Sequence, residues 1–358
     1  MKSSPQNKRQ ILLALGIFII FSSIFSIVGV GDDLFKKILK EPLRTSFLGC
    51  FAKNGQKEIL SCVQANVPRW IPAHGTKAVG KELSYYEETF GADNLCHLVG
   101  HVIGENFYTG MGLSSISECS NACYSSCQHG VLAGFLNEHG SVKFKEIAVK
   151  EDLCEGVSND SSHYKLCNHG LGHMFLLATN YQYEKALDLC GQLSVSGRSG
   201  CSSGVFMELF AGTVGGHGGI PPEIEKETRK KTAEGDIFYP CTVEKMAPQH
   251  RKDCFLQAPQ RVFGELSNRE AGRLSACTEY VPEKWANLCA AGIGLATTAF
   301  DTKNSKNIID TCKDTERHEL KNSCLQGAVF YLQFGEQAQK SVLGFCSLLS
   351  PEEQQSAC

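Results

Sequence analysis

The spacing of the cysteines constrains this chain more than any other feature. There are 18 of them in 358 residues, and fourteen fall into seven pairs: Cys50/Cys62, Cys154/Cys167, Cys190/Cys201, Cys241/Cys254, Cys277/Cys289, Cys312/Cys324 and Cys346/Cys358. Each pair encloses ten to twelve residues, and from Cys154 the pair starts recur after 36, 51, 36, 35 and 34 residues. A period in the mid-thirties is that of two-helix solenoid repeats. No CxxC occurs, so zinc-ribbon chemistry is excluded, and a cysteine load this high belongs in an oxidising compartment.

The residues between the cysteines agree with helical hairpins. Apolar residues at helical spacing lead into a first cysteine, as in Ala186, Leu187 and Leu189 before Cys190. Helix-start residues follow, for example Pro282-Glu283 and Ser350-Pro351-Glu352. The second cysteine then falls about two turns inside the next helix. Glycine recurs three positions later, in Cys127-x-x-Gly130, Cys167-x-x-Gly170, Cys201-x-x-Gly204, Cys289-x-x-Gly292 and Cys324-x-x-Gly327. A glycine inside a helix costs about 1 kcal/mol against alanine, so a recurring one implies close helix–helix approach. Each pair reads as a disulfide joining one helix end to the start of its partner, worth about 3 kcal/mol in the chain-entropy model. Cys96, Cys119, Cys123 and Cys127 remain. Cys127-Gln-His-Gly parallels Cys167-Asn-His-Gly, so Cys127 pairs with Cys119 or Cys123, and Cys96 takes the other.

The fold class expected is therefore all-α: disulfide-stapled helical-hairpin repeats, as an α-solenoid or a compact helical array, after one N-terminal transmembrane helix. The period resembles that of tetratricopeptide-type helical pairs, although their sequence pattern is absent, so the likeness is architectural.

Lys2, Lys8 and Arg9 precede an uncharged apolar run from Ile11 to Val30, with Asp32 and Asp33 just after it. Twenty residues rise about 30 Å as a helix, which matches the hydrocarbon thickness. The charge asymmetry places the N-terminus inside and the bulk of the chain outside the cytoplasm. A cleaved signal peptide is the alternative, but its apolar region would be shorter and end in an A-x-A-like site. The chain divides on this reading into a cytoplasmic tail (1–10), a membrane anchor (11–30), an N-terminal helical region (31–90), histidine-rich repeats (91–211), a glycine-rich and charged insertion (212–235) and C-terminal repeats (236–358).

Function rests on the histidines. Nine of the eleven lie between His74 and His217. His97-Leu-Val-Gly100-His101 and His169-Gly-Leu-Gly172-His173 share the pattern H-x-x-G-H, each after a cysteine, and residues four apart share a helix face. His129 takes the same place after Cys127. Later repeats carry Ser203/Met207, Leu256/Gln260, Ala291/Leu295 and Gln326/Phe330 there instead. Equivalent positions in neighbouring repeats lie about 10 Å apart, so His97, His101, His129, His169 and His173 are candidate ligands of a divalent transition metal. Imidazole suits zinc, copper or iron without choosing among them. Glu105 extends the first stripe as a third ligand or a general acid/base. If the chain is an enzyme, metal-assisted hydrolysis or copper or iron redox chemistry is implied.

The competing reading is a non-enzymatic scaffold that binds a protein, peptide or cell-envelope partner, with core histidines. Imidazoles more than about 8 Å apart would favour it, and convergence within roughly 4–5 Å would favour metal, since Zn–N bonds are about 2.0–2.1 Å. A net charge of −3 and a pI of about 6.4 leave no footprint for nucleic acid. There is no GxSxG, Walker loop or dinucleotide signature, and the H-x-x-x-H pairs lack the glutamate of zinc proteases.

Overall fold

The computed structural model describes residues 42–91, 94–154, 157, 161–212, 221–261, 273–300, 304–334 and 338–358. The apolar run at 11–30 lies outside these. Among the described residues no helix is long and apolar enough to cross a membrane. Two units are distinguished, Met1–Lys53 and Asn54–Cys358. Of the first, helix α1 (Pro42–Phe51) is described.

The second unit is built of helices joined by turns, with no strand among its described residues. It begins with α2 (Gln56–His74), α3 (Thr76–Phe90), α4 (Asn94–Met111), a 3-10 turn at Gly112–Glu118, and α5 (Ala122–Lys150). The repeats continue with α6 (Ser161–Ala178), α7 (Tyr183–Cys190), α8 (Val195–Ala211), α9 (Pro222–Ala233), α10 (Pro248–Gln257) and α11 (Ala276–Glu279). The last are α12 (Glu283–Phe300), α13 (Ser305–Cys312), α14 (His318–Leu332), α15 (Ala338–Cys346) and α16 (Pro351–Ala357). Helices α4, α5, α6, α8, α10, α12, α14 and α16 pack side by side in that order, while the short helices α7, α11, α13 and α15 lie against this row. The first layer therefore carries the repeat core, including the fully buried Phe107, Phe144, Phe175, Phe206 and Phe255. Each such ring removed from water stabilises the fold by about 1.5–3 kcal/mol. The rings of Tyr124 on α5 and Tyr331 on α14 meet at 4.3 Å between centroids.

The cysteine frame follows the expected register. Cys167, Cys201, Cys254, Cys289 and Cys324 are each the seventh residue of their helices. Cys190, Cys312 and Cys346 close the short helices that precede. Six of the seven inferred bonds are present with Cα separations of 5.4–6.3 Å, Cys50 and Cys62 are also both in disulfides, and no cysteine is free. The four ambiguous cysteines pair as Cys96–Cys123 and Cys119–Cys127. At the chain end Ser350 and Glu353 form a reciprocal capping box over α16. The charged run to Lys231 belongs to α9. Residues 213–220 of the glycine-rich insertion, with His217, lie outside the described residues.

The recurring glycines let backbones touch. A Cβ on Gly130 of α5 would overlap the His101 carbonyl and lie 2.9 Å from the Gly104 Cα of α4. A Cβ on Gly204 of α8 would overlap the His169 carbonyl of α6, and one on Gly327 of α14 the Ala291 carbonyl of α12. These contacts set the true register of the repeats. His101, His169 and Ala291 are equivalent, as are Gly104, Gly172 and Gly294.

This corrects the alignment of the two H-x-x-G-H motifs. They are offset by one helical turn, so His97 matches Lys165, and Glu105 matches His173. The motif match misled because Cys96 is not a repeat cysteine. It precedes the equivalent helical position, held by Val99, by one turn, and reaches back to Cys123 instead.

Candidate metal centre

The one-turn offset concentrates the imidazoles. With His97 and His101 on α4, His129 on α5, and His169 and His173 on α6, His129 stands in the middle. Its ring centroid is 5.5 Å from His97, 5.4 Å from His101, 5.8 Å from His169 and 5.5 Å from His173. One donor nitrogen from each of His97, His101 and His129 lies within 4.8 Å of the others. The other four candidate rings thus each lie beside His129, and the donor atoms that converge are those of His97, His101 and His129. His129 can occupy the centre because Gly170 of α6 has no side chain there: a Cβ would come 2.5 Å from its Cδ2.

Backbone carbonyls orient two of the three. His97 Nδ1 is 3.1 Å from the Cys123 carbonyl, and His129 Nε2 is 3.2 Å from the Leu166 carbonyl. A carbonyl only accepts, so each ring places its proton on that nitrogen and keeps a lone pair on the other. For His97 the lone pair is on Nε2, which faces His101 Nε2 at 3.1 Å. Two nitrogens bound to one tetrahedral zinc at about 2.0–2.1 Å lie about 3.3 Å apart, so this spacing fits a shared ion. For His129 it is on Nδ1, which is buried and has no hydrogen-bond partner among the described residues.

The Cys123 carbonyl is aimed by a turn that L-residues rarely adopt. Cys123, Tyr124 and Ser125 have φ of 55°, 59° and 56°. The left-handed region costs roughly 1–2 kcal/mol per residue. Three constraints hold it: the Cys96 disulfide, the Glu87 carboxylate accepting from the Cys123 N–H, and Tyr124 packed on Tyr331. Backbone strain held by its surroundings is characteristic of functional sites. Glu87 also lies close to the sulfurs of Cys96 and Cys123. These are bonded to each other and offer no thiolate, so that group is not a metal site.

On the far side, His173 Nδ1 is 3.1 Å from Glu208 Oε2, and the Tyr181 hydroxyl donates to Oε1 at 3.1 Å. Both His173 and Glu208 are fully buried. Tyr181 reaches Glu208 from a second left-handed turn, Asn180 and Tyr181 having φ of 51° and 60°. Its ring also lines a cavity of about 270 Å³ with Tyr183 and Tyr239. Burial first, then the Glu208 charge, push the Tyr181 phenol up. His169 Nε2 is 3.2 Å from the Met207 sulfur.

Burial favours the neutral form of three of these rings. It lowers His97 to about 4, against a smaller upward pull from the Cys123 carbonyl. Burial also holds His129 and His169 well below the ordinary imidazole value, and each is lowered further by its neighbouring histidines. Near neutral pH these rings present lone pairs, the form that binds metal.

Glu105 follows His101 by one turn, but its carboxylate is not among the groups converging with His97, His101 and His129. What the spacing of histidines could not supply was their orienting partners. Two are main-chain carbonyls, which carry no residue signature, and the third pair, Glu208 and Tyr181, is remote in sequence. Comparison with protein-family models, curated proteins and solved structures finds no match.

Proposed function

We propose that this chain is a membrane-anchored, extracytoplasmic transition-metal protein whose resident ion is held by His97, His101 and His129. The observation that carries the reading is the tautomer logic of the triad. His97 and His129 each give one nitrogen to a carbonyl, and one nitrogen from each of the three rings lies within 4.8 Å of the others. A hydrogen bond that fixes the distal nitrogen of a histidine is the usual companion of metal ligation. A purely structural histidine gains nothing from a buried Nδ1 with no partner, which costs about 1–3 kcal/mol.

Three neutral imidazoles suit zinc, copper or iron and keep a coordination position open. Such an ion supports metal-assisted hydrolysis through an acidified water, or copper or iron redox chemistry. The apolar run at 11–30, read as an anchor, and the disulfides support placing that chemistry outside the cytoplasm.

The test is elemental analysis of the purified full chain, together with its ultraviolet–visible spectrum, before and after His97→Ala/His101→Ala. We expect at least one equivalent of metal, reduced by that pair of substitutions. Substoichiometric zinc, copper and iron, unchanged in the variant, would return the histidines to a packing role.

A further inference from the structure

The triad uses one side of His129, and a second group of donors lies on the other. The rings of His169 and His173 are 4.7 Å apart, the same separation as His97 and His101. The thioether of Met207 on α8 lies 3.2 Å from His169 Nε2. We propose that His169, His173 and Met207 form a second metal position, selective for copper(I).

Glu208 orients His173. Tyr181 donates to one carboxylate oxygen, so the carboxylate accepts from His173 Nδ1–H through the other. The other ring nitrogen, Nε2, is buried and has no hydrogen-bond partner among the described residues. A carboxylate behind a histidine in this way orients a metal ligand and raises its basicity. The His169–sulfur contact, read as a hydrogen bond, is weak and does nothing for His173. One cation among the three donors accounts for both.

The donor chemistry selects the ion. Thioether sulfur is a soft ligand that favours copper(I) over zinc or the harder dications. Glu208, the carboxylate behind His173, has no side-chain exposure. This inference deepens the reading of the histidine cluster as a metal centre but shares no ligand with the triad, so the two can fail separately.

The test presents copper(I), as its bicinchoninate complex under ascorbate, to the oxidised full chain in the His97→Ala/His101→Ala background. Competition reads affinity and X-ray absorption reads the ligands. We expect one equivalent to be taken up with sulfur in its coordination shell. Met207→Leu, near-isosteric and checked by its thermal melt, should weaken copper(I) at least tenfold and abolish the sulfur signal. In the chain with His97 and His101 intact, the same substitution should leave zinc uptake unchanged. Unaltered copper(I) affinity in Met207→Leu, or a copper shell without sulfur, overturns the proposal. Loss of copper(I) from His97→Ala/His101→Ala while Met207→Leu retains it also overturns it and leaves the triad as the copper site. Copper held here, with no metal taken up at the triad, overturns the triad instead.

Discussion

Gly170 offers a way to disturb the triad without touching a ligand. It sits on α6 beside His169, and a Cβ there would lie 2.5 Å from His129 Cδ2 and 3.2 Å from Cγ and Nε2. Ordinary carbon contacts begin at about 3.5 Å, so Gly170→Ala must push the His129 ring by about 1 Å. The bond from its Nε2 to the Leu166 carbonyl is already 3.2 Å, so a shift of that size breaks it, at about 1 kcal/mol. The same shift moves Nδ1 far beyond the roughly 0.2 Å tolerance of a metal bond. Loss of an orienting partner typically lowers metal affinity 10–100-fold, which corresponds to about 1.4–2.7 kcal/mol. The metal-free protein should lose about 1–3 kcal/mol, because the lost bond and the clash exceed the roughly 1 kcal/mol that alanine adds to the helix. Cobalt(II) and zinc titrations against a chromophoric chelator read the affinity, and urea unfolding in EDTA reads the stability. A variant with wild-type affinity and an unchanged cobalt spectrum would refute the claim that the His129 position defines the site. Destabilisation of several kcal/mol in EDTA would show instead that the ring is locked by packing.

Acid should destabilise the metal-free protein. The His97 pKa is about 4 in the fold against 6.5 for the free side chain, so the unfolded chain binds more protons between these values, and stability present above pH 6.5 is lost on approaching pH 4. His97 contributes at most about 3 kcal/mol, with His129 and His169 adding in the same direction; urea midpoints at pH 7.5 and 4.5 that coincide would contradict this. Asp253 acts oppositely. Burial raises it to about 7, so its contribution is complete at low pH and lost as pH rises through 7. Asp253→Asn should therefore gain about 1–3 kcal/mol at pH 8 and nothing at pH 4.5, measured by the same unfolding. Gly204→Ala, whose methyl would overlap the His169 carbonyl, should cost about 3 kcal/mol. Gly344→Ala, with open space around it, should gain about 0.5–1 kcal/mol; thermal melts that rank them otherwise would contradict the close-approach role of the repeat glycines.

Much of the frame was legible in the residues because its constraints are local. A cysteine two turns into a helix and another at the end of the preceding helix are separated by nearly constant chain length, so spacing alone marks the pairs, as with Cys312–Cys324. The histidines shared that advantage, since four-residue spacing puts His97 with His101 and His169 with His173 whatever the fold. The register between helices is different. It is decided by which backbone atoms meet at Gly104 and Gly130, or Gly172 and Gly204, and that contact shifts the second motif by a turn against the first. The same nonlocality brings Glu208 and Tyr181 to His173 and turns the Cys123 carbonyl toward His97. Which histidines pair along one helix was written in the order of residues. Where each proton sits, and so which nitrogens remain for a metal, was decided only when distant main-chain groups packed against them, because a tautomer is chosen by the partner that the ring meets in space.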